Sequence, residues 1–269
     1  LLVDSFYSTI SAIVLFSPVF RALSVKYIIF ALFYSFTLSA ETVHITTGQW
    51  PPYVDRHRED QGCTAQLIRD AFALHGIRVR FVFMPWQRAY EEGKKAEFIG
   101  SAYWYYNEKR ATEYLYTSYP LTSEVSHFYH LDSIPFKFNS YADLKPYRLL
   151  LNKGLTYPKT LWQAIKEYEI EVMEATYTTK NLQFLLRQRA DIAVLDEQTE
   201  REYAKALSNS EVKRLVRQPK PAFVNQGFLL INQHNKKYVT LFNNALQQLI
   251  SNKRYLAQYQ TNCSSISTQ

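Results

Sequence analysis

A chain of 269 residues can hold one large domain or two modest lobes. Hydrophobic residues make up 47% and aromatics 16%, with only seven glycines and ten prolines, which excludes a disordered or low-complexity chain. The formal charge is +7, yet the 31 basic residues are scattered among 24 acidic ones without a nucleic-acid motif, so no nucleic acid is expected as a partner.

The first 40 residues stand apart. Lys26 is followed by an apolar run from Tyr27 that closes on Ser39-Ala40, and polar sequence begins at Glu41. A basic residue, a short apolar run and a small-residue exit predict a secretory signal peptide over 1–40 and export of a mature protein beginning near Glu41. The alternative is an uncleaved anchor, because Leu1 to Phe20 is also apolar. Arg21 and Lys26 keep each run short of the roughly 20 residues a spanning helix needs. A chain beginning with Leu1 suggests a translation start inside this region.

Strand-like and helix-like segments then alternate. Val43–Thr47 reads as a strand, and Ala65–His75 as a helix with apolar residues at helical spacing, closed by Gly76. Val79–Met84 reads as the next strand, and Pro85 permits a helix start over Trp86–Gly93. A second unit opens after Pro135. It offers strands at Leu149–Leu151, Ile170–Met173 and Ile192–Leu195, with helices at Lys159–Tyr168 and Asn181–Gln188. Helices at Thr199–Leu207 and Tyr238–Ser251 follow, with a strand at Phe228–Ile231 between them. This grammar predicts an α/β fold with mostly parallel sheet.

Two cysteines, Cys63 and Cys263, lie in the mature part. In an oxidising compartment they either pair or remain two separate thiols. The six histidines lack metal-ligand spacing, so neither a metal nor a cofactor is expected.

The most informative stretch is Ile99–Leu121, in which six tyrosines and Trp104 surround Arg110. A guanidinium among aromatic rings offers a rigid fork to a carboxylate. A solvated Arg paired with Glu113 is the alternative. This stretch resembles the T-x-x-R … F-S-x-P-Y signature of family 3 periplasmic solute-binding proteins. Other segments resemble that family in the same order: Val43–Tyr53 with its Pro-Pro-Tyr turn, Met84–Arg88, Tyr141–Lys145, Lys153–Thr156, and Asn181–Asp191 running into Asp196. Gln188 stands where the family has Gly.

The resemblance, spanning Val43 to Tyr259, implies a two-lobed periplasmic binding protein-like fold of type II with the ligand cleft between lobes. Residues 41–125 and 221–269 would build the first lobe and 126–220 the second, with crossings near Glu124–Phe128 and Pro219–Gln226. It also brings the C-terminal segment back to the first lobe, which would allow Cys63 and Cys263 to pair. It implies Arg110 as the partner of a ligand α-carboxylate, Thr156 as a hydroxyl donor to it, and Asp196 as the receiver of an α-ammonium. Asp196 also reads as a helix N-cap for Thr199 onward. Trp50 and Trp86 match positions that sandwich a ligand side chain. Tyr103, Tyr105 and Asn107 depart from the family pattern, and Arg88 is a second anion contact or a surface charge.

The implied function is a non-enzymatic, monomeric receptor for an amino acid or related carboxylate, with an ABC permease as partner. An enzyme on the same scaffold, resembling cyclohexadienyl dehydratase, is the alternative, with Asp196 and then Glu124 as candidate acids. A sensor lobe feeding a kinase is the third reading. The end of the chain at Gln269, just past the last helix, favours a free-standing protein over that one.

Overall fold

The computed structural model describes residues 41–153 and 155–263. The expected signal peptide and its cleavage point, and Gly154 of the Lys153–Thr156 motif, lie outside these residues. Among the described residues, no helix is long and apolar enough to cross a membrane.

Strand β1 (Thr42–Thr47) lies between β2 (Arg78–Phe83) and β3 (Gly100–Tyr105), parallel to both. The connection from β1 to β2 carries helix α1 (Cys63–Ala73), and α2 (Trp86–Glu92) leads toward β3. At the other end of the sheet, β6 (Leu149–Asn152) runs parallel to β7 (Val172–Ala175) and β8 (Ile192–Asp196). Two long strands join these parallel groups. β5 (Thr122–Leu131) and β10 (Phe223–Asn232) pair antiparallel with each other, from Thr122 opposite Gly227 to Ser126 opposite Phe223. β10 then borders β3 and β5 borders β8, giving the sheet order β2-β1-β3-β10-β5-β8-β6-β7. Short strands β4 (Tyr114–Tyr116) and β9 (Leu215–Arg217) attach to β10 and β5.

Each parallel group has its own apolar core. The first joins Ile45, Leu67, Phe72 and Leu121 to Phe242 and Leu246 from the far end of the chain. The second group is filled from Phe128, Leu149, Leu161 and Ile192 on one face and Leu150, Leu182 and Leu185 on the other. The first core is therefore assembled from both ends of the described chain. Its helical layer shows why: α1 buries Leu67, Ile68, Ala71 and Phe72, spaced for one helix face. Helix α8 (Lys237–Ser251) answers with Tyr238, Phe242 and Leu246, and the Phe72 and Phe242 rings meet at 5.5 Å. Burying such a ring contributes about 1.5–3 kcal/mol. Helix α9 (Lys253–Asn262) follows, and Cys263 at its end is disulfide-bonded to Cys63 at the start of α1, with Cα atoms 5.6 Å apart.

Several family-like motifs prove to be local structure. Ser140 and Asp143 form a capping box around the short turn Tyr141–Leu144. Asp191 holds Arg148 through two bonds of 2.9 and 2.8 Å. Helix α5 (Asn181–Leu186) ends two residues earlier than periodicity suggests, because Gln188 takes φ 53°, the conformation that glycine enters most easily. Likewise β7 begins at Val172 rather than Ile170, after Glu169 at φ 55°.

Candidate functional site

Strand β3 ends at Tyr105, and two residues later Asn107 starts helix α3 (Glu108–Glu113). The Asn107 side chain accepts from the Arg110 main-chain N–H at 3.3 Å. An N-cap needs a short side chain with an acceptor oxygen, which Asn provides as well as the Thr of the family pattern. The cap fixes the first turn and with it the direction of Arg110.

The Arg110 guanidinium is half-buried. Its Nη1 donates to the Tyr105 main-chain oxygen and to Thr156 Oγ1, both at 3.1 Å. Its Cζ lies 4.7 Å from the centre of the Trp104 ring. Among the described residues no carboxylate comes within 4.0 Å of it, and the expected alternative, Glu113, is paired with Lys94 and Tyr90 instead. Burial lowers the Arg110 pKa, while the neighbouring Tyr116 and Tyr90 work the other way. A desolvated cation without an anion is costly, so this group favours an anionic ligand.

Arg110 opens onto a narrow cavity of about 40 Å³ shared with Trp50, Trp86, Tyr103, Tyr105 and Thr156. Two glycines make room for its aromatic walls. A Cβ on Gly48 would fall 2.2 Å from the Trp86 ring, and one on Gly227 would fall 1.9 Å from Tyr103. Tyr103 stacks on Tyr53 at 5.4 Å and its hydroxyl is hydrogen-bonded to Thr122. Trp104, one of the aromatics expected around Arg110, stands edge-on to Trp86 at 5.0 Å and beneath the guanidinium.

Asp196 belongs to an adjoining cavity of about 30 Å³, together with Ser126, Asn152, Thr178 and Asn225. It caps helix α6 (Glu197–Ala204), its Oδ1 accepting from the main chain of Gln198 and Thr199 at 3.1 and 3.0 Å. The same oxygen accepts from the Tyr53 hydroxyl of the first lobe at 2.7 Å. Burial raises the Asp196 pKa, and the bonds from Thr199 and Tyr53 partly offset this. Glu124, on β5, is also buried; it accepts from the Tyr105 hydroxyl at 2.5 Å and from Thr122 at 3.0 Å. Burial, then the nearby Asp196 charge, pushes its carboxyl far above the usual range.

Thus six of the expected ligand residues line one cavity, and Asp196 lines the next. Arg88 does not join them. It is exposed on α2, outside both cavities, and acts electrostatically on Glu92. Among the described residues there is no cluster of three His, Cys, Asp or Glu able to hold a metal ion.

No protein-family model matches the sequence, and no curated protein matches it either. Solved structures do. A histidine kinase sensor domain with similarity to periplasmic binding proteins superposes with TM-score 0.70 and 15% identity, over 86% of this chain and 99% of its own. An ancestral arginine-binding protein bound to arginine gives 0.68 and 17%, over 82% and 97%. The chain has the two-lobed fold of periplasmic binding proteins. AncCDT-1, an ancestral amino acid-binding protein described as a precursor of cyclohexadienyl dehydratase, gives 0.64 and 18%, over 82% and 94%. At these identities the periplasmic binding protein-like architecture is what is shared.

Proposed function

We propose that the protein is an extracytoplasmic receptor that closes its two lobes on a small carboxylate-bearing solute, an amino acid or a relative of one. The observation that carries this reading is Arg110, half-buried over Trp104, unpaired by any carboxylate among the described residues, and bonded to Thr156 across the cleft. A ligand carboxylate would complete the guanidinium fork and hold the lobes together, biasing an open–closed equilibrium toward the closed state. An ABC permease or a sensor kinase would read that state, the protein acting as a monomer without chemistry of its own. Two of the superposable proteins are described as binding amino acids, which supports the ligand class. Export through cleavage near Ala40 belongs to the same reading, and N-terminal sequencing of secreted protein tests it.

A thermal-shift screen over amino acids, polyamines and small carboxylates tests the function. A ligand that raises the melting temperature of the parent protein but not of Arg110→Ala is the expected result. A screen without any such ligand would reject it.

A second reading, an enzyme of the cyclohexadienyl dehydratase type, draws on Glu124, a buried carboxyl whose environment favours the protonated form. Product formation from prephenate or arogenate, lost in Glu124→Gln, would favour it over the receptor.

A further inference from the structure

Trp50 opens a tight turn. Its main chain and that of Val54 bond to each other in both directions, at 2.8 and 3.0 Å, and Pro51 and Pro52 stiffen the link between them. The indole held there is 9% exposed and lines both cavities. Its Nε1–H is buried without a hydrogen-bond partner. The other buried indole is satisfied, since Trp104 Nε1 donates to Ser101 Oγ at 2.8 Å. A buried donor left unmade is costly, and a solute that brings it an acceptor recovers that cost.

The surrounding wall names the acceptor. Among the described residues no carboxylate lines the first cavity. The hydroxyls of Tyr103 and Tyr105 are committed to Thr122 and Glu124. Arg110 Nη1 is spent on the Tyr105 main-chain oxygen and on Thr156 Oγ1, which leaves the guanidinium its Nε and Nη2 edge. Thr156 Oγ1 accepts from Arg110 and so keeps its own hydrogen to give. The polar groups left for a solute in this cavity are thus donors. A carboxylate offers about four lone-pair sites, two for the side-on guanidinium and one each for Thr156 and Trp50.

Resting on the receptor reading above, we infer that Trp50 is a specificity-determining residue whose indole N–H donates to the ligand carboxylate beside Arg110. The ring then acts through its polar edge, and not only as one face of an aromatic sandwich. A primary amide of the same shape turns N–H groups toward these donors and leaves some of them unpaired, so the site selects the anion over its neutral counterpart.

Titration of the full chain, labelled with ¹⁵N, tests this with propanoate, L-alanine and the neutral propanamide as probes. The four tryptophans give four indole N–H resonances, and the one missing from Trp50→Phe belongs to Trp50. That resonance should move downfield with propanoate and L-alanine and stay in place with propanamide. A second variant carries at position 50 the benzothiophene analogue of tryptophan, which keeps the fused ring and has sulfur in place of N–H. Both variants should bind propanoate about ten- to a hundredfold more weakly than the parent, the loss of a hydrogen bond to a charged group. If the benzothiophene protein binds propanoate as the parent does, or the Trp50 resonance ignores it, Trp50 is a ring wall only and the inference is overturned. If neither propanoate nor L-alanine binds, the inference also falls, while an Arg110-dependent ligand in the wider screen keeps the receptor. If Arg110→Ala binds both probes as tightly as the parent, both readings fall.

Discussion

Tyr53 of the first lobe and Asp196 of the second are joined directly, hydroxyl to carboxylate, at 2.7 Å across 143 positions of sequence. The bond is buried on both sides and shares its acceptor oxygen with the cap of α6. Tyr53→Phe removes it without removing the ring that stacks on Tyr103. A hydrogen bond to a charged group is worth about 1.5–3 kcal/mol, so the melting temperature should fall by several degrees. An unchanged melting temperature would mean that the lobes are not held at this point.

Arg110→Ala should cost about 2–5 kcal/mol of ligand binding, because the ligand carboxylate is left desolvated without its fork. That is roughly a thirty- to several-thousand-fold loss of affinity. Thr156→Val removes one acceptor from the same guanidinium and should cost less, about 1 kcal/mol. Calorimetry with the ligand found by screening gives both values, and equal effects would argue against Arg110 as the main contact.

Gly48→Ala places a methyl group where the Trp86 ring now lies, 2.2 Å from its nearest atoms. The ring is only partly buried and can swing aside, so stability should drop by about 1–3 kcal/mol at most. Ligand affinity should suffer as well, since the displaced ring closes or distorts the first cavity. Tryptophan fluorescence and titration on one sample separate the two effects.

Glu124 supplies a pH dependence of definite sign. Its folded pKa is raised by burial and by Asp196 well above the ordinary glutamate value of 4.5. Its contribution is therefore fully present below about 4.5 and is lost as pH rises toward the folded value, since the folded state holds the proton longer. Glu124→Gln keeps the shape and removes the titration. The parent protein should lose stability relative to this variant as pH increases above 4.5, in denaturation series at several pH values. Parallel curves would contradict the assignment.

Gln188 occupies a left-handed backbone position at which the family motif carries glycine. Gln188→Gly should raise stability by roughly 0.5–1 kcal/mol, the relief of strain exceeding the extra entropy of glycine in the unfolded chain. Urea denaturation measures it, and a loss of stability would show the strain to be absent.

Much of this architecture is legible in the sequence because the parallel strands and the helices α1, α4 (Lys159–Glu167) and α8 carry clean apolar spacing. The long strand β5 is not. Its buried residues include Thr122, Glu124, Ser126 and His127, so polarity hides a central strand whose side chains are satisfied by distant partners. Helix α9, with Tyr259 its one buried residue, has too little apolar face to be seen. For the site, Arg110, Thr156 and the aromatics are readable from motif order. The Tyr53 bond is not, since nothing in one segment announces a partner in the other. Nor was Arg88 decidable, because a helix-surface charge and an anion contact look alike before the helix is oriented.

The disulfide gives the chain an unusual topology. Cys63 and Cys263, 200 positions apart, close a covalent ring that begins at α1 and returns after α9, and strands β2 to β10 all lie within it. A protease that nicks an exposed turn such as Tyr177 therefore opens the ring without releasing a fragment. The cut protein should migrate as one species until a reductant is added. Damage between β7 and β8 would then leave both parts still covalently attached, as two chains rather than one.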